Sequence, residues 1–336
     1  MTAPRTIVIA GSTGFLGSHL TAHFRERGDT VIELNRSGTL RWGQTAAITD
    51  ALEGADVLIN LAGKSINCRY TPENRAALLS SRLDTTRELA AAVRDCEHPP
   101  PLWINASTAA IYRQREDRAA TEDDTEYGAG FSEGVARAWE QMFFEAELPG
   151  VRRVALRLAI VLGDGGALVP FLALGRLGLG GPQFDGRWFA GRDRREAGVF
   201  HEFSSRWGRQ KVSWVHLADV HGIVEHLIGH PELEGAVNAT APEAADNRTL
   251  MRSIRKALRM PLGLPAFRWM TELGALALHT EAGLVLGSMW AAPKRLLESG
   301  YRFEFTELEE AVRDVVARRR QRTTKGRQRA ESPRAL

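Results

Sequence analysis

Cysteine is nearly absent from this chain. Cys68 and Cys96 are the only two in 336 residues, too few for a disulfide framework, and neither stands in a metal-ligand spacing. Both read as ordinary thiols. No run approaches the ~20 uninterrupted apolar residues of a membrane helix. The opening MTAPRTIVIAG passes straight into a strand-like run, with no room for the charged and apolar regions of a signal peptide. A soluble, cytoplasmic protein is expected. A global excess of one charge is missing too: the pI near 9.1 comes from RRRQRTTKGRQRAESPRAL at 318–336, with eight Lys/Arg against one Glu, whereas the first 317 residues carry a slight negative excess. That tail has no apolar period and reads as disordered. A polybasic end can attract RNA, DNA or acidic lipid, but no aromatic residue interleaves its charges to stack bases, which argues against nucleic acid as a partner.

What is present points to one large α/β unit or two unequal domains: 43% of residues are hydrophobic and 25% charged, enough for a substantial core. TIVIA (6–10), TVIEL (30–34), VLINLA (57–62), LWINAS (102–107) and RVALRL (153–158) are short, β-branched or wholly apolar runs of the kind buried in a parallel sheet. Between them FLGSHLTAHFRERG, TPENRAALLSSRLDTTRELAAAVRD and FSEGVARAWEQMFFEAE repeat apolar residues at steps of three and four, the helical period. Thr71 and Pro72 mark a helix start, and Gly28 a helix end. Strand and helix alternating in this way predict a Rossmann-type, doubly wound parallel sheet. The expected division is a Rossmann domain at 1–165, whose core also receives later segments near 210–240, a substrate region at 166–317, and the tail at 318–336.

Residues 6–20, TIVIAGSTGFLGSHL, place Gly11, Gly14 and Gly17 between a strand and a helix. Such a turn aims backbone N–H groups and the positive helix end at one point, which suits a pyrophosphate. Gly11 permits the tight turn, Gly14 lets phosphate approach, and Gly17 lets the helix lie close on the sheet. Ser12, Thr13, Phe15 and Leu16 complete the loop. At the end of the second strand, TVIELNRS puts Asn35 at the ribose position, with Arg36 next. An acidic residue there would grip the ribose hydroxyls of NAD; a neutral amide followed by a guanidinium suits a 2′-phosphate. NADP(H) is therefore the expected cofactor, Glu33 entering only if the strand register slips.

The ordered series GSTGFLG, INLAGKSI (59–66), NASTAAIY (105–112), GRLGLGGP (175–182), SWVHLADV (213–220) and APKRLLESGYRF (292–303) resembles the extended short-chain dehydrogenase/reductases, in their sugar-nucleotide epimerase-like branch, from about residue 5 to 317. The resemblance implies that Leu61, Ala62 and Gly63 of the LAG turn pass beside the cofactor, and that Arg82 on the following helix contacts pyrophosphate or substrate. Measured back from Tyr112, Thr108 holds the hydroxyl position used in catalysis, with Ser107 adjacent on the cofactor side. Such enzymes also use Tyr-x-x-x-Lys to move a proton while the nicotinamide exchanges hydride. No such pair exists in this chain. Aligning through Ala138-Trp139-Glu140 leaves Ser132 and Ala136 in those places, so Tyr112 and Tyr127 become the substitute phenols, neither with an evident neighbouring cation. The position of the family's phosphate-binding Arg falls on Val212 here, with Arg209 and Lys211 close by. The segment 183–211, rich in Arg and aromatics, reads as an insertion, either a lid or partner surface or an Arg-rich loop anchored by its rings.

Three functions stay open. One is an NADP-dependent oxidoreductase or epimerase acting on a small carbonyl, hydroxyl or sugar-derived compound, with Thr108 and a displaced Tyr assisting. Another is a non-catalytic regulatory or structural NADP(H)-binding protein. The third is a factor working on nucleic acid or membrane through the basic tail. Oligomers are compatible with any of them.

Overall fold

The computed structural model describes residues 3–331. Strand β1 (Thr6–Ala10) leads to α1 (Phe15–Glu26), β2 (Thr30–Asn35), β3 (Leu40–Arg41), α2 (Thr45–Leu52), β4 (Val57–Asn60), α3 (Pro72–Arg94), β5 (Leu102–Thr108), α4 (Phe131–Glu145) and β6 (Arg152–Leu158). There follow β7 (Ile160–Leu162), α5 (Leu168–Arg176), β8 (Gln183–Phe184), α6 (Arg192–Glu196), β9 (Lys211–Val212), β10 (Trp214–His216), α7 (Leu217–Gly229) and β11 (Gly235–Ala239). The chain closes with β12 (Ala245–Asp246), α8 (Asn247–Leu258), β13 (Ala266–Phe267), α9 (Arg268–Ala277), α10 (Gly283–Leu286), α11 (Lys294–Glu298) and α12 (Leu308–Glu331).

Seven strands form one parallel sheet in the order β11-β6-β5-β4-β1-β2-β3, the Rossmann-type arrangement the alternating periods predict. Successive side chains of a strand face opposite ways, so β1 divides its apolar residues between two layers. Ile7 and Ile9 pack with Leu20, Phe24, Ile223 and Leu227 from α1 and α7. Val8 and Ala10 pack with Ile48, Leu89 and Phe143 from α2, α3 and α4. Thr71 accepts from Asn74 N with Pro72 in the first turn of α3, and Gly28 takes a positive φ of 88° after α1, which only glycine adopts at no steric cost.

The later region has its own core, where α5, α8 and α12 bring together Leu172, Met251, Ile254, Val312 and Val315. The 183–211 segment is tied down. His201 and Arg268 hold the buried Asp185 carboxylate at 2.9 and 2.7 Å, Arg194 reaches the buried Glu281, and Phe131 N at the start of α4 donates to Gly198 O. The insertion thus lies across the α4 N-terminus. The expected disordered tail is corrected in part: α12 runs helically to Glu331, while residues 332–336 lie outside the described residues. Its apolar stripe at Leu308, Ala311, Val312, Val315 and Val316 is buried. That packing supplies the costly nucleus from which the helix propagates into the charged sequence. Arg319 and Arg322 then reach Asp164, through its carbonyl and its carboxylate.

Where α1, α7 and α12 meet, four histidines crowd together. His23 stacks on His221 with ring centroids 4.7 Å apart, His19 bonds Asp164, and His216 lies 3.2 Å from Asp314 while its other ring nitrogen caps α7 at Ala218 N. Burial pushes His216 and His221 down to about 4, with Arg318 and the other histidines adding repulsion. For groups whose folded pKa lies below the unfolded one, the unfolded chain binds the proton first. Stability should therefore be intact above pH 6.5 and decline between 6.5 and 4, by an amount on the order of several kcal/mol. Urea unfolding across that range, repeated with His221→Gln, checks this; the variant should flatten the slope.

Candidate functional site

The site is built at the C-terminal ends of β1 and β4, where the chain turns away to opposite sides of the sheet. The three glycines divide the work between fold and ligand. A methyl on Gly17 would lie 2.2 Å from Gly11 O, and one on Gly11 would lie 2.8 Å from the Leu61 carbonyl carbon; both are bare because backbone packs there. Gly14 differs: a methyl there would meet one atom, Gly11 O, at 3.3 Å. That cradle is left open by the protein. Gly14 also caps α1, whose first turn contains no acidic residue, so the positive helix end is uncompensated on that side. Thr13 is exposed beside it, Phe15 leans over Gly163, Gly165 and Gly166, and Leu16 packs onto the core.

At the end of β2, the Asn35 side chain is used internally. Its amide donates to Ser12 Oγ at 3.1 Å and its carbonyl accepts from Ser37 N and Gly38 N. Asn35 therefore shapes the loop instead of presenting a free amide. Arg36 is exposed and shares a pocket of about 380 Å³ with Arg41, Trp42, Gly43 and Gln44. Arg41 escaped the sequence reading; its only signal is a second cation at the start of the short β3.

The LAG turn lies against the glycine loop, with Leu61 and Ala62 backbone packed on Gly11. Leu61 N bonds Ala10 O, and Ala62 N donates to Asn60 Oδ1, whose amide in turn donates to Asn105 Oδ1 at 2.7 Å. This buried strut fixes the ends of β4 and β5 against each other. Arg82 spreads beside Gly63 and 5.1 Å over the Trp139 ring, donating to the carbonyls of Leu78 and Lys64. Among the described residues no carboxylate pairs with it, and burial lowers its pKa.

Beyond β5 the sequence-nominated groups separate. Thr108 Oγ1 accepts from Ala110 N, which leaves its O–H free to donate. Ser107 Oγ donates to Glu140 at 2.5 Å, so its proton is committed inside the protein. Glu140 holds Arg157 through two bonds of 2.8 and 2.7 Å. Arg157 donates to Tyr112 Oη at 2.6 Å and to Tyr127 Oη at 3.3 Å, so both phenols have the cation the sequence did not reveal. Burial nevertheless outweighs it for Tyr112, pushing the phenol up to about 12. The Tyr112 hydroxyl also donates to Asn238 Oδ1 and the side chain is buried. Tyr112, nominated as a substitute phenol, is thus engaged inside the fold by Arg157 and Asn238. Tyr127 stays on the rim, 36% exposed.

The helix positions left vacant by the missing Tyr and Lys are filled differently. Ala136 packs against Ala109, Ile111 and Tyr112. Ser132 meets a phenol that sequence reasoning passed over: Tyr70 Oη lies 3.2 Å from Ser132 Oγ, and its ring stands edge-on to Phe131. Tyr70 is carried there by the loop between β4 and α3, whose backbone Glu281 anchors at Tyr70 N. No spacing in the sequence connects residues so far apart. Burial raises the Tyr70 pKa, with the Ser132 hydrogen bond and the Arg82 charge acting in the opposite direction.

With this geometry in place, comparison with known proteins gives a consistent picture. Residues 7–137 match the NAD dependent epimerase/dehydratase family, and residues 268–315 match a domain of unknown function, DUF1731. Epimerase family protein YfhF of Bacillus subtilis is 30% identical, with 94% of this chain and 99% of that protein covered. Mouse epimerase family protein SDR39U1 is 32% identical, with 93% and 99% covered. The crystal structure of human SDR39U1 (isoform 2) with NADPH superposes with a TM-score of 0.78 at 27% identity, covering 93% of this chain and 99% of that one. Among the described residues no helix is long and apolar enough to cross a membrane. The chain belongs to the epimerase family of extended short-chain dehydrogenase/reductases, alongside the SDR39U1 proteins.

Proposed function

We propose that this protein binds NADP(H) in the crevice beyond β1 and β4 and serves as a cytoplasmic oxidoreductase or epimerase-like enzyme on a small carbonyl, hydroxyl or sugar-derived substrate. The observation that carries the reading is the combination of an open cradle at Gly14 with Arg36 and Arg41 around one pocket. Backbone N–H groups of the first turn of α1 would hold the pyrophosphate, and the two guanidinium groups the 2′-phosphate. Leu61, Ala62 and Gly63 would line the path between, with Arg82 beside Gly63. The cofactor supplies the hydride chemistry when bound. On the protein side, Thr108 offers a hydroxyl to orient the substrate. Tyr70, held by Ser132 and influenced by Arg82, offers the proton in place of the expected Tyr112.

Fluorescence titration with both reduced cofactors tests the binding. NADPH should bind more tightly than NADH, and Arg36→Ala should weaken NADPH by about tenfold or more while leaving NADH unchanged. Failure to bind either dinucleotide overturns the proposal. For catalysis, cofactor turnover over a panel of carbonyls and nucleotide sugars should fall by roughly 100-fold in Tyr70→Phe, with NADPH affinity retained. A second reading, a regulatory NADP(H)-binding protein without catalysis, is favoured by Ser132 and Ala136 standing where Tyr and Lys are required. It prevails if NADPH binds and no substrate is turned over.

A further inference from the structure

One side of the later region turns its apolar residues outward. Leu177, Leu262, Leu264, Trp269, Leu273 and Leu276 each leave more than half of their surface exposed. They are continuous. Leu264 exchanges backbone hydrogen bonds with Gly178 and Gly181, which sets the 262–264 loop against Leu177, and Trp269 follows at the start of α9. Trp269, Leu273 and Leu276 stand at i, i+4 and i+7, one stripe of a helix. The inward side of α9 is held by Arg268, bound to Asp185, and by the buried Ala275. The apolar stripe therefore points away from the core. Scattered exposed leucines need no explanation, but a connected patch of this kind marks an interaction surface.

The charge around the patch says what covers it. From Asn247 to Thr271 the chain has six Lys/Arg and no Asp or Glu. Lys256 is paired with Glu309, and Arg268 with Asp185 and Glu272. Arg255 donates to Gly180 O, which fixes its face of α8 beside Leu177 and Leu264. Arg252, three residues before it, shares that face, and Arg259 is the left-handed C-cap of the same helix. Both are exposed, as is Arg176, and among the described residues no carboxylate pairs with any of the three. The C-terminal helix passes the same end of α8, where Arg320 donates to Ala257 O. Two copies meeting through this face would oppose cation to cation.

We infer that this face is a docking surface for an anionic lipid bilayer, with the α9 stripe and the 262–264 loop entering the headgroup region and Arg176, Arg252 and Arg259 pairing with lipid phosphates. An apolar stripe with an aromatic anchor, bordered by cations, is the pattern of a helix lying in a membrane interface. It concerns peripheral attachment, separate from the nucleotide site.

Co-sedimentation of the full chain with phosphatidylcholine vesicles, with and without phosphatidylglycerol, tests it. Binding should require the anionic lipid and weaken with salt. Trp269→Ser/Leu273→Ser should reduce it at least about tenfold, and Arg252→Gln/Arg259→Gln about fivefold for each charge removed. These positions are exposed, so circular dichroism should be unchanged; if the serine variant fails to fold, the glutamine variant carries the test alone. No binding to anionic vesicles at low salt, equal binding to neutral vesicles, or unchanged binding by a folded serine variant overturns the inference. So does a concentration-dependent dimer in sedimentation velocity that the serine variant dissolves, which would assign the face to a second copy.

Discussion

Glu140→Ala is expected to lower folding stability by about 3–5 kcal/mol. The carboxylate sits under β5 and β6, nearly sealed from water, and is the sole counter-charge to Arg157 among the described residues. Removing it strands a guanidinium whose pKa the surroundings now raise, and it orphans Ser107 Oγ. The Coulomb gain of such a pair does little more than offset the cost of desolvating both groups. The deficit should therefore come from the uncompensated cation, and Glu140→Gln should cost less than Glu140→Ala because Arg157 and Ser107 keep an acceptor. The double variant Glu140→Met/Arg157→Met should recover much of the loss. Chemical denaturation of the four proteins measures this directly; a double variant as unstable as Glu140→Ala would show that the pair itself, not the stranded charge, is what the fold depends on.

The second large effect separates two glycines of one loop. Gly17→Ala places a methyl 2.2 Å from Gly11 O and 2.8 Å from Ser12 Cα, both backbone atoms that cannot swing away. The helix must lift from the strand, at a cost of about 3 kcal/mol, and the loop is lost with it. Gly14→Ala meets only Gly11 O, at 3.3 Å, so stability should change by less than about 1 kcal/mol. NADPH binding, on the reading proposed above, should weaken by at least about 100-fold because the methyl occupies the phosphate cradle. Thermal unfolding and cofactor titration of both variants check the contrast. If Gly14→Ala binds NADPH normally, the loop does not face the pyrophosphate.

The division between what sequence reveals and what it hides follows physical range. Strand β1, the glycine turn and α1 are legible because each obeys a period or a steric rule satisfied by near neighbours. Thr71 and Pro72 announce α3 for the same reason. Arg157 carries no such mark: its meaning arises from Glu140 on a helix and Tyr112 on a loop, brought together only by sheet order. Tyr70 reaches Ser132 through a loop anchored by Glu281 from the far end of the chain. The tail misleads for a related reason, since composition records its charge but not the packed stripe before it that starts the helix. Asn35 closes β2, and its amide is spent on Ser12 and on the turn that follows.

Strand β11 joins the sheet beside β6 only after α5, the insertion and α7 have been made. On the ribosome, then, the nucleotide-binding half cannot be finished when its own residues have emerged. Until residue 239 appears, β6 offers an open row of main-chain groups flanked by Val154 and Leu156, the kind of edge that recruits stray strands. Synthesis of this protein should therefore lean on chaperone shielding midway through translation, and a stalled nascent chain ending soon after β6 should be among its most aggregation-prone products.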